Sequence, residues 1–375
     1  MSRLGKLAAA TVVLAASAVA TGAALLSFWP PFGGSVEGER SARVRASPQF
    51  RSGRFENTIP QTPRGYAQLW DYLQRQVRGT EVRTPPTPIP IVQPVLENRA
   101  GRAPPGLRAI WFGHASVYLE LDGLRLMSDP ILSDYASPFA GIGPRRFHPP
   151  PLALEALPKI DAVVISHDHY DHLDVRTIKH LASAGTHFFV PLGIGAHLER
   201  WQVPSTQFTE LDWWQSAEMG GVTITGTPVR HYSGRGLRDG NATLWSSWVI
   251  AGPMHRVYFS GDSGFGEHFK AIGDRLGPFD LSILKIGAYG PGQTWHDIHM
   301  QPEEAVKAHV ALRARRMLPV HWGTFNLAFH AWDEPIERAV AAGRDRGVDL
   351  VTPRVGEVVA AGAPFASVRW WLTPR

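Results

Sequence analysis

A chain of 375 residues with 44% hydrophobic content can bury one large core or two small ones. Lysine plus arginine number 38 against 33 aspartate plus glutamate, and a formal charge of +5 is too small to mark a nucleic-acid binder. Cysteine is absent, which excludes disulfides, thiolate catalysis and lipid attachment through an N-terminal Cys, and leaves His, Asp and Glu as metal donors.

Arg3 and Lys6 precede an uncharged run over residues 7–29, rich in Ala, Leu and Val. The run exceeds the ~7–15-residue apolar region of a secretory signal and reaches the ~20 residues that span a bilayer as a helix. Ala18-Val19-Ala20 also offers a small-x-small cleavage site. One reading is an uncleaved anchor over residues 7–29, holding the chain on the periplasmic face of the inner membrane. The other is a signal cut near Ala20, and both export the remainder. Residues 31–106 read as a Pro- and Arg-rich tether with a peripheral segment, because Pro30-Pro31, Gly33-Gly34 and Pro85-Pro86 break regular structure. Within it, residues 66–77 have the spacing of a short docking helix. Arg40, Arg43, Arg45, Arg51 and Arg54 form a basic run, either a solvated linker or a patch drawn to anionic lipid head groups.

From residue 107 to 375 the pattern is that of a catalytic domain built from short β-rich runs. Strands are predicted over residues 109–121, 162–166, 222–225 with a continuation over 227–229, 244–251, 257–260, 281–286 and 317–320. Helices are predicted over 173–184, 194–201, 266–275, 302–315 and 334–346. The fourth of these has Pro302 at its first position, Glu303 and Glu304 in its first turn and arginines in its last, in keeping with the helix dipole. Strands precede helices in each half, which suggests two packed sheets with helices outside.

The chemistry concentrates in residues 163–174, VVISHDHYDHLD. An apolar strand runs into a turn that presents His167, His169, Asp171 and His172, and a helix follows. Alternation puts His167 and His169 on one side of an extended segment, so both imidazoles reach one ion, while Asp171 and His172 turn toward a second position. Three further donors sit at predicted strand ends: His231, Asp262 in FSGDS and His321 in PVHWGT. Each is ambiguous alone, as core histidine or ligand; beside the first cluster they supply the missing donors.

The HxHxDH motif with these later ligands resembles the metallo-β-lactamase fold, an α/β four-layer αββα sandwich. The flanking motifs narrow the resemblance. WFGHA (111–115), SDP (128–130), SHDHYDHLD (166–174), VPLG (190–193), ELDWW (210–214), LWSSW (244–248), GDSG (261–264), GPFDL (277–281), IGAY (286–289), PEEA (302–305) and HWGTF (321–325) occur in this order. An RFEN stretch (54–57) precedes them, and together they are similar to the N-acyl-phosphatidylethanolamine-hydrolysing phospholipase D group.

The resemblance implies two Zn²⁺ ions, with Fe or Mn as other metals suited to the same donors. His167, His169 and His231 would hold the first, Asp171, His172 and His321 the second, and Asp262 would bridge both. Asp129 would orient a ligand imidazole, and His299 would stand near the reacting phosphate. Catalytic roles then fall to Asp171, Asp262 and His299, with a hydroxide shared by two metals attacking phosphorus. The implied partners are a phospholipid substrate and a membrane surface, with no nucleic acid. Asp134 stands where the group has a neutral residue, which bears on head-group specificity. A rival reading within the fold is an ester or lactone hydrolase, since the same nucleophile attacks carbonyls. An iron redox enzyme is disfavoured by His169, where oxygen-reducing members carry Glu, and a non-catalytic binding module by the complete ligand set. Trp213, Trp214, Trp245, Trp248, Trp295, Trp322 and Trp332 are expected in the core, or in part along an acyl-chain channel.

Overall fold

The computed structural model of the chain describes residues 29–63, 66–96 and 101–372, less the side chains of 66–69 and 72. Apart from Trp29, the expected anchor or signal lies outside the described residues. No helix among the described residues is long and apolar enough to cross a membrane.

The chain opens with α1 (Gly38–Ala46), a hairpin of β1 (Phe50–Arg51) and β2 (Arg54–Phe55), and α2 (Tyr66–Arg78). Ser52 and Gly53 turn that hairpin with φ of 51° and 81°, the left-handed pair that suits a two-residue connection. The first large sheet then gathers β3 (Leu107–Gly113), β4 (Ser116–Leu121), β5 (Leu124–Ser128), β6 (Ala162–Val164), β7 (His187–Pro191) and β8 (Phe208–Leu211). Two helices, α3 (Val175–Ser183) and α4 (Gly195–Arg200), fall within it. The second sheet holds β9 (Ser216–Met219), β10 (Val222–Thr227), β11 (Ser247–Ala251), β12 (Arg256–Phe259), β13 (Phe279–Lys285), β14 (Ala314–Val320) and β15 (Asp349–Leu350). Its helices are α5 (His268–Leu276), α6 (Gln293–His296), α7 (Pro302–Ala311) and α8 (Glu334–Asp345), and β16 (Val358–Ala360) returns to the first sheet.

Spatial order is β16-β3-β4-β5-β6-β7-β8 in one sheet and β15-β14-β13-β12-β11-β10-β9 in the other. Side-chain alternation sorts the apolar residues into layers. Ala109, Trp111, Ala162 and Val164 join Trp248, Ile250 and Phe259 between the sheets. Their neighbours Ile110, Phe112, Val163 and Ile165 face outward, against Ile178 and Leu181 of α3 and Leu198 of α4. With α7 packed over β13 and β14, the result is the expected αββα sandwich. Strands β5 to β8 run parallel, as do β12 to β15, so the C-terminal ends of both sets meet at one edge. Ligands gather at that end of a parallel sheet because successive crossovers leave their loops there.

Three predicted features take a different form. The run 109–121 is a tight hairpin rather than one strand: Gly113 and His114 reverse the chain with φ of 99° and 52°, and Gly113 is the one turn signal within an otherwise β-rich run. The helix predicted over 302–315 stops at Ala311, because Arg313 adopts φ of 57° and β14 begins one residue later. Residues 31–63, read as a tether, pack onto the sandwich. Val44 and Phe55 are buried among Leu192, Trp213, Val229, Leu244 and Trp245. Within the basic run, Arg40 pairs with Glu199 at 2.8 Å and with the buried Glu210 at 3.0 Å, and Arg43 reaches Glu210 at 3.4 Å. A buried carboxylate is costly without such partners, so Arg40 and Arg43 answer an internal charge.

Candidate metal centre

Each predicted donor lies just past the end of a strand on the shared edge. Asp129 follows β5, His167 to His172 follow β6, His231 follows β10, Asp262 follows β12 and His321 follows β14. Two close backbone approaches make the cluster tight. A Cβ on Gly261, which has φ of 54°, would lie 2.3 Å from the Ser166 Cβ, so only glycine lets the GDSG turn abut the His167 loop. A Cβ on Gly287 would lie 2.0 Å from the His321 carbonyl oxygen, which brings the turn after β13 against the last ligand.

The donors fall into two sets. In the first, His169 Nδ1 lies 2.8 Å from His167 Nε2 and 3.3 Å from His231 Nε2. Two neutral imidazoles share one proton comfortably, but three ring nitrogens around one point need a cation at their centre. In the second set, His172 Nε2 lies 3.2 Å from both Asp171 Oδ2 and His321 Nε2. Asp262 faces both: its Oδ1 is 3.1 Å from His321 Nε2, and its Oδ2 is 3.5 Å from His172 Nε2 and 3.8 Å from His231 Nε2. Oδ1 of Asp262 is buried without a hydrogen-bond partner, as a metal ligand would be. The donor set therefore fits metal ions, and the grouping of ligand atoms within 4.8 Å of one another agrees.

Hydrogen bonds on the far side of the rings fix which nitrogen faces inward. Asp129, fully buried, accepts from His172 Nδ1 at 2.7 Å and from the Ser166 backbone N–H at 2.6 Å, leaving His172 Nε2 for the centre. The Ile298 carbonyl does the same for His231, accepting from its Nδ1 at 3.0 Å. Burial pushes the His167 and His231 imidazoles well below their usual range. Burial would raise the Asp262 carboxyl, but His321 and His172 beside it hold it well below the ordinary carboxylate range. Neutral imidazole and ionised carboxylate are the states a divalent cation requires.

His299 stands beside this cluster, with Nδ1 3.6 Å from Asp262 Oδ2 and Trp295 tilted over it at 5.9 Å between centroids. Lys285 Nζ lies 2.7 Å from the same Nδ1. Burial draws the lysine down to about 8, against the pull of Asp262 and Asp171. Asp134 is exposed on the loop beyond SDP, and its carbonyl accepts from the Arg146 N–H. Of the seven tryptophans, Trp213, Trp245, Trp248, Trp322 and Trp332 are buried in the core. Trp214 lies under the Arg275 guanidinium, 3.8 Å from its ring centroid, and Trp295 packs at a tilt against His299 of the predicted site.

Sequence reading passes over three residues of this region. His114, in WFGHA, is buried with Nε2 2.9 Å from Asp171 Oδ2. Its own backbone N–H donates to Thr324 Oγ1 at 2.6 Å, which ties WFGHA to HWGTF. Asn57, in RFEN, brackets the His231 backbone, donating to its carbonyl at 2.7 Å and accepting from its N–H at 3.0 Å. Lys285 is the third. Polar side chains within otherwise apolar or uninformative runs were the available signals.

Two adjoining recesses share Gly236, Leu237 and Asp239. The smaller, of about 420 Å³, reaches Tyr232, whose ring packs on His169 and His231 at 4.5 and 4.8 Å. The larger, of about 680 Å³, is lined by Phe32, Val36, Val44 and Phe50 of the N-terminal segment. A separate cavity of about 20 Å³ touches His114 and His321 and has room for water rather than an acyl chain.

Comparison with known proteins bears on this geometry. Residues 125–322 match the Beta-lactamase superfamily domain. An uncharacterized protein of Mycobacterium tuberculosis is 45% identical over 349 residues, which covers 89% of this chain and 91% of that one. The N-acyl-phosphatidylethanolamine-hydrolyzing phospholipase D 1 of Caenorhabditis elegans is 44% identical over 230 residues, 59% of this chain and 65% of the nematode protein. This chain thus spans just under two thirds of that enzyme. Among solved structures, a metallo hydrolase from the archaeon Ignicoccus hospitalis aligns with a TM-score of 0.52 at 23% identity, over 69% of this chain and 99% of that one, a likeness of fold. The matched region runs from β5 to the last His of the cluster, and so takes in the ligand-bearing strand ends of both sheets: the chain belongs to the beta-lactamase superfamily and is a metal-dependent hydrolase.

Proposed function

We propose that the chain is a binuclear zinc phosphodiesterase that cleaves N-acyl-phosphatidylethanolamine or a related phospholipid, in the manner of a phospholipase D, to phosphatidate and an N-acylethanolamine. The observation that carries this reading is Asp262, whose carboxylate lies between the two donor sets, 3.1 Å from His321 and 3.5 Å from His172 on one side and 3.8 Å from His231 on the other. His167, His169 and His231 would hold one ion and Asp171, His172 and His321 the other. When bound, such a pair supplies Lewis-acid stabilisation of charge on phosphoryl oxygens and a water acidic enough to attack near neutral pH. The chain's own groups do the rest. Asp129 and the Ile298 carbonyl keep two imidazoles in the ligating tautomer, and His299 donates a hydrogen bond toward a phosphoryl or leaving oxygen.

Two features favour a lipid over a small lactone. The nematode relative is named for hydrolysing an N-acylated phospholipid. The paired recesses run from Tyr232, whose ring packs on His169 and His231, to the apolar side chains of Phe32, Val36, Val44 and Phe50, although no predicted ligand lines either of them. A membrane surface is the natural source of such a substrate, in keeping with the exported location expected from residues 7–29. The test is to incubate the purified, zinc-loaded protein with N-acyl-phosphatidylethanolamine, phosphatidylethanolamine and an acyl lactone. Phosphatidate from the N-acylated lipid is expected; turnover of the lactone alone would replace this reading with an ester or lactone hydrolase, and release of phosphatidate from neither lipid would overturn the substrate class.

A further inference from the structure

Lys285 ends β13 with its side chain fully buried at the edge where the ligands gather. Lysine is almost never buried this completely without a specific partner. Its ammonium is held at 2.7 Å by the Gly287 carbonyl and at 2.7 Å by His299 Nδ1. An ammonium has three hydrogens to give and no lone pair, so His299 Nδ1 must accept. The proton of the neutral ring then sits on Nε2.

Two other histidines of the site, His172 and His231, are treated in the opposite way. Nδ1 of His172 faces the Asp129 carboxylate and Nδ1 of His231 faces the Ile298 carbonyl, both acceptors. An acceptor on Nδ1 leaves Nε2 with its lone pair, ready to ligate. A donor on Nδ1 leaves Nε2 with its hydrogen, unable to ligate and ready to donate. Although His299 lies with His231 and Asp262 in a group able to hold a metal, its partner removes it from the ligand set. The groups facing its ring are Lys285, Asp262 at 3.6 Å, His231 and His321 at 5.2 and 6.1 Å between centroids, and Trp295.

We propose that Lys285 is the positioning residue of the site: by donating to Nδ1, the ring nitrogen nearest Asp262, it keeps that nitrogen from a metal and fixes His299 in a single tautomer, so that the Nε2–H is offered to an oxygen of a phosphodiester. The inference rests on the phosphodiesterase reading for its substrate, but not for the tautomer itself. The role is distinct from bracing the turn, since a brace would act through stability and metal retention rather than through His299.

Two readouts decide it. In protein labelled with ¹⁵N-histidine, long-range ¹H–¹⁵N spectra should show His299, assigned by its loss in His299→Gln, with bare Nδ1 and protonated Nε2. A protonated Nδ1 in the unaltered protein would overturn the proposal, whatever the variants do. Second, Lys285→Met should lower kcat for bis(p-nitrophenyl) phosphate by about tenfold to a hundredfold with KM and bound metal unchanged. Adding Lys285→Met to His299→Gln should lower kcat no further, because the lysine acts only through that ring. Independent, multiplying losses, or loss of metal from Lys285→Met, would make it a structural brace instead. Lys285→Gln serves the same cycle if the methionine variant does not fold. Failure of the unaltered, metal-loaded enzyme to cleave the diester would sink the phosphodiesterase reading and leave the spectrum to judge Lys285.

Discussion

At the scale of single residues, Asp129 shows how a side chain one step back from the centre governs it. It accepts from the Ser166 N–H, from the Ser166 hydroxyl and from His172 Nδ1, with no solvent contact. Asp129→Asn keeps the shape but replaces an acceptor oxygen with a donor, so one of these bonds must break. We expect metal affinity to fall about 10- to 100-fold, the range seen when such partners are changed, with the fold intact by circular dichroism. Competition with a chromophoric chelator measures it, and unchanged affinity would remove Asp129 from any role in the site. Asp262→Asn is the more severe case: it should lose bound metal and hydrolysis together, read by elemental analysis and by turnover. Two fully bound ions with full activity would refute the bridging role. Most of these residues are legible in the sequence because a motif of four donors after an apolar strand has few other uses. His114 is not, because a lone His between two apolar runs looks like packing until Asp171 is found 2.9 Å away.

Elements are positioned by a few charged clamps. Asp297, just past α6, accepts from the Thr62 backbone N–H at 2.6 Å, from Arg230 at 2.8 Å and from Gln293 at 3.0 Å, tying the N-terminal segment to the second half of the chain. Burial would raise its carboxyl, but the Thr62, Gln293 and Arg230 hydrogen bonds outweigh it and hold the group at about 2, below the ordinary 3.8. A carboxyl depressed in the folded state stabilises the fold above its unfolded value, and that contribution is lost as pH falls toward the folded one. Asp297→Asn should therefore cost about 1–3 kcal/mol at neutral pH, with the gap to the unaltered protein closing between pH 4 and 2. Urea unfolding at a series of pH values measures this; a gap that persists at pH 2 would show that the charge is not its source. Such clamps join residues far apart in the chain, and nothing local announces them. The same limit explains where the structure departs from the predicted elements. The stop of α7 and the turn between β3 and β4 depend on Arg313 and His114 in the left-handed region, which arginine rarely adopts and which histidine, though enriched there, does not announce by itself.

For the molecule as a whole, the cluster concentrates buried donors that are ill-matched to one another without a cation. Chelation should lower the midpoint of thermal unfolding and abolish hydrolysis, and re-added zinc should restore both. At a hundredfold excess over its dissociation constant, a ligand that binds only the folded state stabilises by about 2.7 kcal/mol. A melting curve indifferent to chelator would mean that the cluster does not bind metal in the folded protein. The sandwich itself was readable from the order of strands and helices, since that order leaves few ways to cover two apolar sheets. The packing of residues 31–63 was not, because arginine and proline there resemble a linker until the buried Glu210 supplies a reason for them.

Closure of the first sheet has a consequence for when the enzyme comes into being. Its strand β3 is completed only by β16, with Ile110 opposite Val358. The ligands are likewise scattered, from His167 to His321. A nascent chain thus has no finished pocket until almost all of it has left the ribosome, and contacts of such long sequence separation form slowly. Metal is acquired wherever the completed chain folds, and since these donors accept several divalent ions, the metal available in that compartment has a part in deciding which one the enzyme carries.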